Sequence, residues 1–196
     1  MNDGVTIYFI RHGETDWNRA RRYQGQADIA LNDKGREQAR RNGQVLRALL
    51  PGIAHAHFVS SPLDRTRETM RIVRGELGLV PDDFEIEPRL IELNYGHWEG
   101  QLASDLAIHD TANVAARAAR PFTWRPRGGE NYEDLSRRLS SWLAGIERDC
   151  VVVSHGGVSR ALRGLLIPGV DRQEIHQLDV PQDRVLLLQQ GTMGWI

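Results

Sequence analysis

The chain has a single cysteine, Cys150, among its 196 residues, which excludes an intramolecular disulfide. Cys150 opens the apolar run Cys150-Val151-Val152-Val153 and reads as a small buried hydrophobe rather than a reactive thiol. No apolar run approaches the length that spans a bilayer, and the N-terminus lacks the basic-then-apolar pattern of a secretory leader. These absences predict a cytoplasmic protein without a membrane partner. An excess of one charge is missing too: 25 basic residues face 26 acidic ones, a formal net charge of −1. A balanced surface carries no electrostatic footprint for nucleic acid, so attraction for an anion has to come from a local arginine cluster. His55 and His57 stand near no cysteine or carboxylate cluster of metal-ligand spacing, so no metal and no other cofactor is expected. There is no internal repeat, and nothing in the sequence speaks to oligomeric state.

What is present reads as one α/β domain over residues 1–196. Hydrophobic residues make up 40%, slightly below the usual share but enough for a sizeable core. Val5–Ile10 is a β-branched and aromatic run that reads as a buried strand, His57–Ser60 as a second, Val151–Ser154 as the clearest, and Val185–Gln189 as the last. Phe84–Glu87 reads as a short strand. Helices are predicted over Lys34–Leu50 after an Asn32 cap, from Pro62 to about Leu77 with proline at the first helical position, over Gln101–Arg120, Asn131–Arg148 and Val158–Leu166. Strands alternating with helices predict a three-layer α/β/α sandwich around a mostly parallel sheet. Ligands of such sheets sit outside the carboxyl ends of the strands.

Three motifs fall at those ends: Arg11-His12-Gly13, Ser60-Ser61-Pro62-Leu63-Asp64-Arg65 and Ser154-His155-Gly156-Gly157. Each has a plain alternative. His12 and His155 also fit as structural histidines at strand ends. Arg65, in the first turn of a predicted helix where the dipole disfavours a cation, either pairs with Asp64 or Glu68 or aims its charge at a ligand. Glu92 lies between Leu90-Ile91 and Leu93. It reads equally as an arginine partner and as a carboxyl whose pKa is raised by apolar surroundings, suited to proton donation. The other histidines read as structural or surface residues. Trp124, in the loop Pro121–Gly129, is a candidate for substrate contact.

Taken together, the motifs resemble the histidine phosphatase superfamily in its phosphoglycerate-mutase-like branch (branch 1). The similarity runs through Arg11-His12-Gly13-Glu14-Thr15 with Asn18, Gln24-Gly25, Asp28 to Leu31, Asn32 to Gly35 and Ser60 to Thr66. It continues through Glu92 with Tyr95-Gly96 and Trp98-Glu99-Gly100, Gly128-Gly129-Glu130, and Ser154 to Gly157 with Arg160-Ala161-Leu162. The resemblance implies that His12 is a nucleophile forming a phosphohistidine. Arg11, Arg65 and His155 would bind the phosphoryl oxygens, and Glu92 would serve as general acid and then base. It further implies substrate contacts from Gly13, Thr15, Asn18, Gln24, Gly25, Tyr95 and Gly156, with the charge offset by two arginines and a protonated histidine rather than a metal.

Two departures from the mutases stand out. The stretch from Glu92 to Gly128 is short, making residues 101–130 a small cover over the site, and Gly157 stands where mutases typically carry asparagine. A less covered phosphohistidine is open to water. The expectation is therefore a phosphomonoesterase for a small phosphorylated metabolite. A phosphoglycerate mutase is the alternative, and a non-catalytic phosphate-binding module ranks third. Arg117, Arg120, Arg125 and Arg127 either read a second anionic group of the substrate or form a solvated basic loop.

Overall fold

The structure is a computed structural model that describes residues 4–196. The chain runs β1 (Ile7–Arg11), α1 (Asp16–Arg19), α2 (Asp33–Leu49), β2 (His57–Ser60), α3 (Asp64–Glu76), β3 (Glu85–Ile86), α4 (Ala103–His109) and α5 (Thr111–Ala119). It continues with α6 (Tyr132–Leu143), β4 (Cys150–Ser154), α7 (Gly156–Leu166), β5 (Val185–Gln189) and β6 (Thr192–Trp195). The sheet order is β3-β2-β4-β1-β5-β6. The first four strands are parallel, and β5 and β6 are antiparallel additions.

The alternation of side chains along the strands divides the core in two. Ile7, Phe9, Cys150, Val152, Leu186 and Leu188 point to one face, where Leu135 and Leu139 of α6 and Leu162 of α7 cover them. Ile10, Phe58, Val151, Val153 and Val185 point to the other, against Leu46 of α2 and Met70 and Val73 of α3. The central strands thus read as unbroken apolar runs because both faces are buried. Each fully buried leucine or valine contributes about 1.5–3 kcal/mol. Cys150 lies inside this core, and burial pushes its thiol up to about 12, as expected of an inert residue.

Several boundaries differ from the sequence expectation, each for a local reason. Ser61 N–H still donates to Val153 O (3.0 Å), so strand pairing outlasts Ser60 and Pro62 precedes α3 instead of opening it. The expected helix 101–120 breaks at Asp110, whose carboxylate accepts from Trp98 Nε1 (2.7 Å), His97 Nε2 (3.1 Å) and Asn113 Nδ2 (2.8 Å). The helix expected over 131–148 ends at Leu143. Strand β6 was not expected, and α1 forms within the polar segment after His12, capped by Thr15 and Asn18.

Candidate functional site

Parallel β1, β2 and β4 end at one edge of the sheet, with Arg11 in register with Ser154 and Ser60 with Val153. This register brings His12, Ser61 and His155 together. His12 is 3% exposed, and its N–H donates to Ser154 O (2.9 Å). Its Nδ1 lies 2.8 Å from Gly13 O. A carbonyl only accepts, so Nδ1 carries the proton and Nε2 holds the free lone pair. Gly13 has a packing task of its own. Its N–H donates to Thr69 Oγ1 (3.1 Å), and a Cβ there would stand 2.1 Å from Gly35 O, so the glycine lets the His12 segment lie against the start of α2.

His155 is fully buried, with its ring 5.3 Å from that of His12. Its Nε2 lies 2.7 Å from Ser61 Oγ, and its Nδ1 is buried without a partner among the described residues. Burial pushes both histidines well below their ordinary value. Arg65 and Arg11 push His12 further, and Arg65, His12 and Arg11 act on His155. The free protein thus holds two neutral imidazoles where the resemblance implied one charged. The consequence for stability has a definite sign. The unfolded chain takes up protons near 6.5 while the folded one does not. Stability from the two rings is therefore complete above that value and is lost as pH falls below it. Each ring contributes a slope of about 1.4 kcal/mol per pH unit. Urea unfolding between pH 7 and 5.5 will show this slope, flattened by His155→Gln; an identical slope in that variant would contradict the burial argument.

Arg65 is fully buried and forms no ion pair among the described residues; Asp64 pairs with Arg67 (3.3 Å) and Glu68 with Arg36 (2.7 Å). It donates through Nη2 to Gly25 O and through Nη1 to Ala27 O, both 2.7 Å. Gly25 therefore contributes its carbonyl to hold Arg65. Arg11 donates through Nη1 to Val180 O (2.8 Å). Burial and the neighbouring Arg160 bring it down to about 10, and burial lowers Arg65. The Nε of each is buried without a partner among the described residues. Two cations, neither in an ion pair among the described residues, thus flank His12, with Glu92 the carboxylate whose charge acts on both.

Glu92 forms no ion pair with an arginine among the described residues. Its carboxylate accepts from two backbone donors, Leu93 N–H on Oε1 (2.8 Å) and Gly157 N–H on Oε2 (3.1 Å). A Cβ at position 157 would stand 2.4 Å from Glu92 Oε1, so this placement of the carboxylate depends on glycine there. Glu92 O accepts from Gln26 Nε2 (3.1 Å) and Arg138 Nη2 (3.2 Å).

The remaining expected residues fall into two groups. Thr15 and Asn18 cap each other around α1, and Asn18 Oδ1 also accepts from Gln182 Nε2 (3.1 Å). Gln182 Nε2 further donates to His12 O (3.0 Å), a positioning contact that no sequence signal marks. Gly156 opens α7 beside Arg11 and Arg160. Gln24 is buried with Oε1 unpartnered among the described residues, and Tyr95 packs against Tyr23 (4.9 Å between ring centroids). Residues of the 101–130 stretch pack inward against aromatic rings. Trp124 packs against Trp98, with ring centroids 4.4 Å apart and planes tilted by 37°. Of the four arginines there, Arg117 alone turns in, donating to Tyr23 OH (2.5 Å), while Arg125 pairs with Asp134 (2.5 Å) and Arg120 and Arg127 are exposed. His57 pairs with Glu85 (3.0 Å), His176 Nδ1 lies 2.9 Å from Gln173 O, and no group of three potential metal ligands occurs among the described residues. No described helix is long and apolar enough to cross a membrane.

The profile of the histidine phosphatase superfamily (branch 1) matches residues 7–196. A protein of Erwinia tasmaniensis named "Probable phosphoglycerate mutase GpmB" is 36% identical over 157 residues, covering 78% of this chain and 70% of its own. A protein of the same name from Salmonella newport is 36% identical over 71% of this chain and 62% of its own. Among solved structures, the mycobacterial glucosyl-3-phosphoglycerate phosphatase in complex with VO3 is similar at 28% identity and a TM-score of 0.79, covering 98% of this chain and 96% of that one. The alpha-ribazole phosphatase of Shigella flexneri gives 26% and 0.77, over 93% and 89%.

Proposed function

The chain belongs to the histidine phosphatase superfamily (branch 1), a family of phosphoryl-transfer enzymes, and on that premise we propose that it is a metal-independent phosphomonoesterase acting on a small phosphorylated metabolite. One observation carries the proposal. Burial together with Arg65 and Arg11 favours a neutral His12 with Nε2 free, and neither the buried Arg65 nor the partly buried Arg11 forms an ion pair among the described residues. A phosphoryl group supplies the missing negative charge, and positioning plus charge stabilisation is what phosphoryl transfer requires.

In this reading His12 Nε2 attacks phosphorus while the bond to the ester oxygen breaks, and Glu92 hands its proton to that oxygen. Arg11, Arg65 and His155 Nδ1 take up the charge on the equatorial oxygens, assisted by Asn18 and the Gly156 backbone. Water, deprotonated by Glu92, then attacks the phosphohistidine; the P–N bond breaks, and phosphate leaves with His12 restored. The 101–130 segment acts as a short cover over this site.

Hydrolysis rather than isomerisation is supported by that short cover, by Gly157, and by alignment with named phosphatases over 93% and 98% of the chain. The mutase reading draws on relatives at 36% identity that carry that name. Assaying phosphate release beside isomerisation of a phosphoglycerate separates the two. Efficient isomerisation with little release would sink the phosphatase. Gly157→Ala drives a methyl group against Glu92 Oε1. Displacing that carboxyl should lower kcat about 100-fold for alkyl phosphates. The loss should be smaller for para-nitrophenyl phosphate, whose leaving group needs no proton. Equal losses on both would remove Glu92 as the acid.

A further inference from the structure

Beside the proposed phosphoryl site lies a cleft of about 660 Å³, lined by Arg11, Arg160, Arg163 and Arg184 together with Asp179 and Asp183. Trp195 forms one wall, with the Arg163 guanidinium 5.9 Å from its ring. None of the four arginines forms an ion pair among the described residues, while Asp183 faces Arg41 at 3.8 Å. Arg163 is 5% exposed, with Nε buried and unpartnered. Three of these cations grip consecutive carbonyls: Arg160 Nε donates to Leu178 O (2.9 Å), Arg163 Nη1 to Asp179 O (2.6 Å) and Arg11 Nη1 to Val180 O (2.8 Å).

A carbonyl satisfies a donor but leaves the charge standing. Holding a loop needs no charge at all, as the amide of Gln182 shows at His12 O and Asn18 Oδ1. Arg163 is buried and Arg11 and Arg160 are partly so, and a desolvated cation outside any ion pair is costly unless an anion completes it. Mutual repulsion adds to the cost: burial and then Arg160 lower both Arg11 and Arg163, against the smaller opposing effects of Glu92 and Asp179. The loop alone therefore does not account for three arginines.

We propose that this cleft is a second anion site, taking a phosphate or carboxylate group and sharing Arg11 with the phosphoryl site. The anion is either a second acidic group on the substrate or a free anion such as released phosphate. The existence of the site stands apart from the phosphatase reading; its use by substrate rests on that reading.

Calorimetric titration with inorganic phosphate tests the site. Two phosphates should bind per chain. Arg163→Gln and, at the exposed rim, Arg184→Gln should each weaken one of them, with Arg163→Gln costing about tenfold or more, the scale of one charge-assisted hydrogen bond. His12→Ala should retain this second isotherm. One phosphate per wild-type chain, or wild-type isotherms in both arginine variants, would overturn the proposal. The rim variant keeps the test decisive if Arg163→Gln unfolds. Substrate use is read by comparing two aryl phosphates, phenyl phosphate and its para-carboxylated analogue, through the ratio of their Michaelis constants. A rise of about fivefold or more in the value for the carboxylated ester, relative to the plain one, in Arg163→Gln assigns the site to substrate. An unchanged ratio with one phosphate lost assigns it to a free anion. Absence of any aryl phosphate turnover, with two phosphates still bound, defeats the phosphatase and leaves the anion site standing.

Discussion

Phosphate release from phenyl phosphate stops when His12 becomes alanine, with kcat falling on the order of 10⁵-fold, the scale of removing a covalent nucleophile. The expectation follows from the Gly13 carbonyl, which fixes the proton on Nδ1 and leaves Nε2 as the attacking atom. Acid quenching of the wild-type enzyme during turnover should trap an acid-labile phosphoryl group on His12, and the variant should trap none. The fold should survive, because the His12 backbone keeps its bond to Ser154 O and the neighbouring strands are untouched. Equal rates in variant and wild type would end the assignment of His12 as nucleophile.

Arg65→Lys should be nearly as damaging despite keeping the charge. The guanidinium spans two carbonyls, Gly25 O and Ala27 O, and still presents its Nε edge. An ammonium is a point donor on a flexible stem and cannot reproduce that fork. We expect kcat to fall about 10³-fold, within the range for losing an arginine that stabilises a phosphoryl transition state. Inhibition by vanadate should weaken in parallel with kcat/KM, because both read the equatorial oxygens. A loss below tenfold would mean that Arg65 serves the 25–27 loop alone.

How far the site could be read from sequence depended on the range of its contacts. Strands β1 and β4 announce themselves through the apolar runs Ile7–Ile10 and Cys150–Val153, which lie between buried faces. The residues ending β1 and β4, Arg11, His12 and His155, were legible by position. Arg65 was legible as a cation in an unfavourable place, although its partners were not, since Gly25 and Ala27 lie 40 and 38 residues away. Glu92 was legible as a candidate carboxylate, but the backbone groups that hold it were not. Two backbone donors hold it, one of them made accessible by the missing side chain at 157. Gln182 was invisible, because its contacts with His12 and Asn18 bridge 170 and 164 residues. Strand β6 escaped because Thr192-Met193-Gly194-Trp195 is short, holds a glycine and is largely exposed, so no apolar run marks it.

The grip on the 178–180 segment has an evolutionary side. Arg160, Arg163 and Arg11 hold main-chain oxygens, which every amino acid possesses. Substitutions at the exposed Asp179 can therefore accumulate without releasing the segment, whereas Val180 is buried and Leu178 packs against the core. The three arginines enjoy no such freedom. Descendants of this chain can thus vary the rim beside the reaction centre while its geometry stays fixed, which makes the segment a natural place for selectivity to diverge before chemistry does.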